Sequence, residues 1–127
     1  MANITGIDHV QVAMPVGAED AARAFYSGVL GLPEVPKPAH LAVRGGAWFQ
    51  CGAAQLHLGA DSAFLPAKKA HPALIVAGFD AFVGALRGAN VDVQVEEMVA
   101  GLQRATVKDP FGNKVELIEQ RQEIIPA

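Results

Sequence analysis

The chain has 127 residues, 51% of them hydrophobic and 18% charged, which predicts a folded globular protein and excludes a disordered segment. A formal charge of −3, with Lys68-Lys69 as the only adjacent basic pair, gives no electrostatic footprint for nucleic acid. The single Cys51 excludes an internal disulfide and any CxxC metal or redox motif, and no apolar run approaches the ~20 residues of a membrane span.

The N-terminus, MANITGIDHV, has no basic segment followed by an apolar core, so the expected compartment is the cytoplasm, with no membrane and no nucleic acid as partner. Ile7 to Ala13 reads as a strand, with Val10 and Val12 on one face and His9 and Gln11 on the other. Pro15 and Gly17 break it, and a helix follows over Glu19 to Leu30, with acidic residues at its start and Gly31 at its stop. Ala22, Phe25, Val29 and Leu30 form its apolar stripe. LPEVPKP reads as a connector. Three short strands are predicted at His40–Arg44, Ala47–Cys51 and Ala54–Leu58, with Gly45-Gly46 and Gly52 at the turns.

The same order then recurs. After a link from Asp61 to Ala70, His71 to Val76 predicts a strand and Phe79 to Ala89 a helix with Phe82, Leu86 and Ala89 on one side. Strands at Val91–Val95, Arg104–Lys108 and Lys114–Ile118 complete the unit, and Asp109-Pro110-Phe111-Gly112-Asn113 supplies the last turn. Strand–helix–strand–strand–strand thus occurs twice, giving one domain over residues 1–127 made of repeats at about 4–60 and 70–120.

Four polar residues fall at matching places in this plan. His9 and His71 are 62 apart, and His57 and Glu116 are 59 apart, each on the first or last strand of a unit. The apolar faces of these strands carry Val10/Val12, Leu56/Leu58, Leu74/Val76 and Val115/Leu117, which should pack under the helices. The opposite faces carry the three imidazoles and the carboxylate, a thiolate-free set suited to Zn, Ni, Fe, Co or Mn. Taken singly, each histidine reads more simply as a hydrogen-bonded or surface residue. Their joint placement favours a cavity holding one divalent metal ion.

The remaining polar and aromatic residues read more plainly. His40 is a surface or connector residue, Cys51 a small buried side chain, and Trp48, Phe49 and Phe111 core or pocket lining. Lys68 and Lys69 read as a solvated link. Arg104 and Lys114 neighbour Glu116 and serve either a substrate anion or a structural ion pair.

The runs IDHVQVAMP, FYSGVLGLPEV, QLHLG, HPALIV and DPFGNKVELIE resemble the vicinal oxygen chelate superfamily, which contains glyoxalase I, methylmalonyl-CoA epimerase, extradiol dioxygenases and the fosfomycin and bleomycin resistance proteins. The resemblance spans Ile4 to Glu119, with DPFGNKVELIE and the opening DHV as its most specific pieces. It implies an α+β fold of two βαβββ units forming a curved, partly open mixed sheet around a cavity. His9, His57, His71 and Glu116 match the metal-ligand positions, and the small members are usually homodimers, some building each site from two chains.

That resemblance implies a metal-dependent, glyoxalase-like lyase or isomerase. It would act on a small vicinal-oxygen substrate, such as a thiol adduct of an α-oxoaldehyde, through a metal-stabilised enediolate. Glu116 is the expected base and His57 the second catalytic residue, although glyoxalase I usually carries glutamate at the His57 position. The alternatives are a metal-dependent extradiol-type dioxygenase, which needs only two histidines and one carboxylate, and a metal-free antibiotic-binding protein. A fosfomycin-modifying transferase would need an additional ligand-binding loop that the sequence does not display.

Overall fold

The structure is a computed structural model and describes residues 1–122; the last five residues of the expected domain lie outside it. It divides into two compact units. Each carries a four-stranded mixed sheet with one parallel and two antiparallel pairings. Among the described residues no helix is long and apolar enough to cross a membrane.

The first unit comprises Met1–Lys68 and Asp109–Asn113. Strand β1 (His9–Pro15) begins later than Ile7 and runs through Pro15, which an end strand tolerates because one side of its backbone needs no partner. The predicted single helix is α1 (Glu19–Ala22) passing directly into a π-helical stretch, Arg23–Val29. Ala22, Phe25, Tyr26 and Leu30 are its buried residues, while Val29 is only half-buried. The wider turn closes through Leu30 N–H donating to the Phe25 carbonyl at 2.9 Å.

Two expectations fail between Gly31 and Gly46. The connector holds strand β2 (Glu34–Val35), paired with Trp48 and Phe49, and kept to two residues by the flanking prolines, which cannot donate. The predicted strand His40–Arg44 is instead a short helix, α2 (Ala39–Ala42). Its alanines and leucine favour a helix, and the Pro38 carbonyl accepts from both Leu41 and Ala42 to start the turn. His40 is exposed there, as expected of a surface residue.

Strands β3 (Ala47–Cys51) and β4 (Ala54–Asp61) complete the sheet in the order β1-β4-β3-β2, with β1 parallel to β4. Met14, Tyr26, Phe49 and Leu58 are fully buried, each worth roughly 1.5–3 kcal/mol. Val10 departs from its expected burial: it is 41% exposed, near the start of an end strand. Gly46 admits no other residue. Its φ is +85°, and a Cβ there would stand 2.1 Å from the Leu58 carbonyl oxygen. Its N–H donates to Glu19 Oε1 at 3.0 Å, which is the main reason the Glu19 carboxyl is held below the usual range.

The second unit comprises Lys69–Lys108 and the chain from Lys114 onward. Its sheet has the order β5-β8-β7-β6, from β5 (Ala73–Val76), β6 (Gln94–Val99), β7 (Leu102–Lys108) and β8 (Lys114–Glu119). Helix α3 (Phe79–Gly88) buries Phe79, Val83 and Leu86, whereas Phe82 is half-buried and Ala89 exposed, so the inward face is rotated from the expected one. β6 starts at Gln94 rather than Val91 because the preceding residues cap α3. Asn90 adopts φ 62° and Val91 N–H donates to the Leu86 carbonyl at 3.0 Å. Ala105, Val107, Val115 and Leu117 are the fully buried core of this sheet.

The DPFGN turn belongs to the first unit and is held by one carboxylate. Asp109 Oδ1 accepts from the Phe111 and Asn113 N–H groups at 2.9 and 2.8 Å. Oδ2 accepts from the Tyr26 hydroxyl and from Asn113 Nδ2, both at 2.8 Å. Asn113 Nδ2 also donates to the Ala13 carbonyl at 2.8 Å, tying the turn to β1. Burial, reinforced by the Asp109 charge, pushes the Tyr26 hydroxyl far above its ordinary pKa, so it stays a donor.

Candidate functional site

The four candidate ligands come together as two pairs, one in each unit. Among the described residues, neither unit by itself gathers three or more His, Cys, Asp or Glu side chains into a metal-holding group.

In the first unit, cross-strand register sets Trp48 of β3 opposite His57 of β4, and His57 opposite Gln11 of β1. The outcome is a three-ring stack. The Trp48 and His57 centroids are 4.2 Å apart with planes 6° from parallel, and the His57 and His9 centroids are 4.2 Å apart at 13°. His57 is buried and its Nε2 meets Gln55 Oε1 at 2.9 Å. His9 Nδ1 meets Asp8 Oδ2 at 2.8 Å, a carboxylate–imidazole contact that leaves Nε2 with the lone pair. A cavity of about 470 Å³ opens beside the stack, with Asp8, His9, Trp48, His57, Lys37 and Arg44 among its lining residues.

Burial is the largest cause of a lowered His57 pKa, with the nearby His9 and Lys37 charges adding to it and Asp8 opposing. His57 is therefore neutral in the folded chain at pH 7. As pH falls below the ordinary 6.5, the unfolded chain takes up the proton first, so stability declines until the folded value is passed. Urea unfolding between pH 7.5 and 5 is expected to show this loss in the wild type. His57→Gln should remove that part of the slope; an unchanged slope would contradict a neutral, buried His57.

In the second unit, His71 lies two residues before β5, not within it as expected, because Pro72 cannot donate to the ladder. The Pro72 carbonyl still accepts the Glu116 N–H at 3.0 Å, which brings His71 beside β8. His71 Nδ1 donates to the Lys69 carbonyl at 2.8 Å, leaving Nε2 unprotonated in the neutral ring and 3.3 Å from Glu116 Oε1. Arg104 Nη1 donates to the same oxygen at 3.0 Å, so Arg104 is an ion-pair partner of Glu116. Thr106, opposite Glu116 on β7, has a buried hydroxyl with no partner among the described residues.

The His71–Glu116 pair fits a divalent ion. Two acceptors facing each other at 3.3 Å suit a shared cation, since ligands about 2.0–2.2 Å from one ion stand roughly 2.8–3.6 Å apart. Outer partners fix the tautomers of His9 and His71 with Nε2 available. His57 is placed differently. Ligand lone pairs lie in the ring plane, and two near-parallel stacked planes do not meet at a common ion, so His9 and His57 ligate together only if one ring turns.

The sequence model of the glyoxalase/bleomycin resistance protein/dioxygenase superfamily matches residues 6–117. The chain belongs to this superfamily. A solved glyoxalase family protein from Bacillus anthracis is 45% identical, with a TM-score of 0.91, covering 95% of this chain and 99% of its own. Two further superfamily folds are similar at lower identity. A lactoylglutathione lyase from Agrobacterium tumefaciens has 22% identity and a TM-score of 0.69, covering 93% and 96% of the two chains. An antibiotic binding protein from Streptomyces has 21% identity and a TM-score of 0.75, covering 95% and 100%. These two carry the fold alone. A search of curated proteins found no match.

Sequence reasoning gave Trp48 a core role by default and did not single out Asp8, Lys37 or Gln55. Gln55 had a signal, being two residues before His57 on the same face of a period-two strand. Lys37 had none, because it reaches the cavity from a proline-rich loop.

Proposed function

We propose that this superfamily member is a metal-dependent lyase or isomerase acting on a small vicinal-oxygen substrate. His9, His57, His71 and Glu116 are the residues that would hold one divalent ion, of Zn, Ni, Fe, Co or Mn. The observation that carries this reading is the His71–Glu116 pair, 3.3 Å apart, with an outer partner fixing the imidazole tautomer. A bound ion would stabilise negative charge on the substrate oxygens as the adjacent carbon loses its proton. Glu116 is the base. Its Arg104 and His71 contacts both fall on Oε1, which leaves Oε2 to accept the proton. Arg104 orients the carboxylate, and burial of Glu116 keeps water from competing for it.

A homodimer in the cytoplasm goes with this reading: Val95, Met98 and Val99 on β6, the last strand of its sheet, are more than half exposed and suit cover by a second copy. One observation favours a second reading. With His57 engaged by Trp48 and Gln55, the free donors reduce to His9, His71 and Glu116, the two-histidine, one-carboxylate set of an oxygenase.

The test loads metal-stripped protein with zinc, nickel, iron(II) or manganese and supplies the thiol adduct of methylglyoxal in D₂O. Deuterium incorporation at the substrate carbon with a redox-inert ion is the expected result. Oxygen uptake with catechols, confined to iron or manganese and without exchange, would establish the oxygenase instead. Neither reaction with any ion would leave a binding protein.

A further inference from the structure

We infer that Lys108 and Lys114 hold the phosphate of a small phosphorylated hydroxyketone, one row along the sheet from Glu116. The inference rests on the reading of Glu116 as the base and names the substrate class that the base would meet.

The placement follows from register. In the pairing of β7 with β8, Thr106 stands opposite Glu116 and Lys108 stands opposite Lys114. Lys108 is two residues beyond Thr106, and Lys114 is two before Glu116. All four side chains therefore share one face, the one turned away from the Ala105, Val107, Val115 and Leu117 core. The two rows lie about 7 Å apart along the strands, a span that a short carbon chain bridges. Exposure rises from one row to the next. Thr106 and Glu116 are buried, Lys114 is half-buried and Lys108 is exposed. The lysines stand where a ligand arriving from solvent first meets this face.

The charge argument is independent of the placement. Like charges directly opposite each other on paired strands repel. Among the described residues neither lysine has a carboxylate within ion-pair distance to offset this. The two carboxylates nearest in sequence are taken. Asp109 is buried in the turn with four donors on it, and Glu116 gives Oε1 to Arg104 and faces His71. Arg104, the other strong cation of this face, is spent on that contact. Two ammonium groups are compact point charges without the planar fork that matches a carboxylate. Together they balance a phosphate monoester, which carries about −1.5 to −2 at pH 7.

The full chain, metal-stripped and at low ionic strength, is titrated by NMR with dihydroxyacetone phosphate, dihydroxyacetone and hydroxypyruvate. All three present adjacent carbonyl and hydroxyl oxygens and differ in carrying a phosphate, no charge or a carboxylate. The expected result is saturable shifts of the Lys108 and Lys114 amides with the phosphate, at least about tenfold tighter than with either other compound. Lys108→Met and Lys114→Met should each weaken that binding about three- to tenfold. Each should leave the melting midpoint unchanged or raised, because it relieves the like-charge pair. Lys68→Met, which removes the same charge from the exposed link, should leave the affinity unchanged. Equal binding of the phosphate and dihydroxyacetone, tighter binding of hydroxypyruvate, or an equal loss in Lys68→Met would overturn the inference. So would a lowered melt in both lysine variants, which would mark the pair as structural. Zinc-loaded protein separates this outcome from the proposed function. Proton exchange as fast with dihydroxyacetone as with its phosphate would keep the function and end this inference. Phosphate-dependent binding in protein that exchanges no proton with any ion would sink the proposed function and keep the anion site.

Discussion

Asp109→Ala is expected to cost the fold about 3–5 kcal/mol, seen as a drop of about 10–20 °C in the melting midpoint. Four hydrogen bonds end on this buried carboxylate: from Tyr26, from the backbone of Phe111 and Asn113, and from Asn113 Nδ2. Alanine leaves the Tyr26 hydroxyl fully buried with no acceptor and releases the turn that ties Asn113 to β1. Tyr26→Phe removes one of these bonds without orphaning a donor on the tyrosine side, so its cost should be smaller, about 1–2 kcal/mol. Thermal melts of the two variants check the order. A melt for Asp109→Ala within a few degrees of the wild type would contradict the view that this network holds the turn.

Glu116→Gln should leave the protein folded while stopping its chemistry. Glutamine keeps an oxygen for Arg104 to donate to, and the strand retains its ladder through the Pro72 carbonyl. What disappears is the charge that would hold an ion and the oxygen that would take a proton. Ion affinity is expected to fall about 100-fold or more, since even outer-shell changes cost about 10–100-fold. Substrate proton exchange should fall about 10²–10⁴-fold. Isothermal titration with zinc and exchange followed by NMR measure the two separately. Full exchange in this variant would remove Glu116 as the base.

The parts of the fold legible in the sequence are those whose side chains meet protein in a regular period. The central strands β4 and β8 have neighbours on both sides, and their alternation, Leu56/His57/Leu58 and Val115/Glu116/Leu117, reads directly. Their polar residues are buried too, because strands flanked on both sides leave little open surface. Segments decided by the backbone escaped the pattern. α2 forms where Pro38 starts a turn, β6 is delayed by the αL residue Asn90, and the helix after α1 widens into a π-helical stretch. Period and propensity carry no record of these events.

The candidate site was legible to the same extent. One-face placement expected His9, His57, His71 and Glu116 around one ion; within the units, His9 stacks on His57 and His71 stands 3.3 Å from Glu116. The Trp48 layer was hidden, since it depends on β3 pairing Trp48 with His57 and not with a residue one step away. Arg104 was visible as a neighbour of Glu116. Its choice of the Glu116 carboxylate over a substrate anion is set by a 3.0 Å contact that spacing does not reveal.

Elemental analysis of protein purified without chelator and without added metal tests the central claim most directly. The expected result is about one divalent ion per chain, zinc, nickel, iron, cobalt or manganese, lost in His9→Ala, His71→Ala and Glu116→Gln. No ion at any stoichiometry, even after dialysis against zinc and nickel, would contradict it.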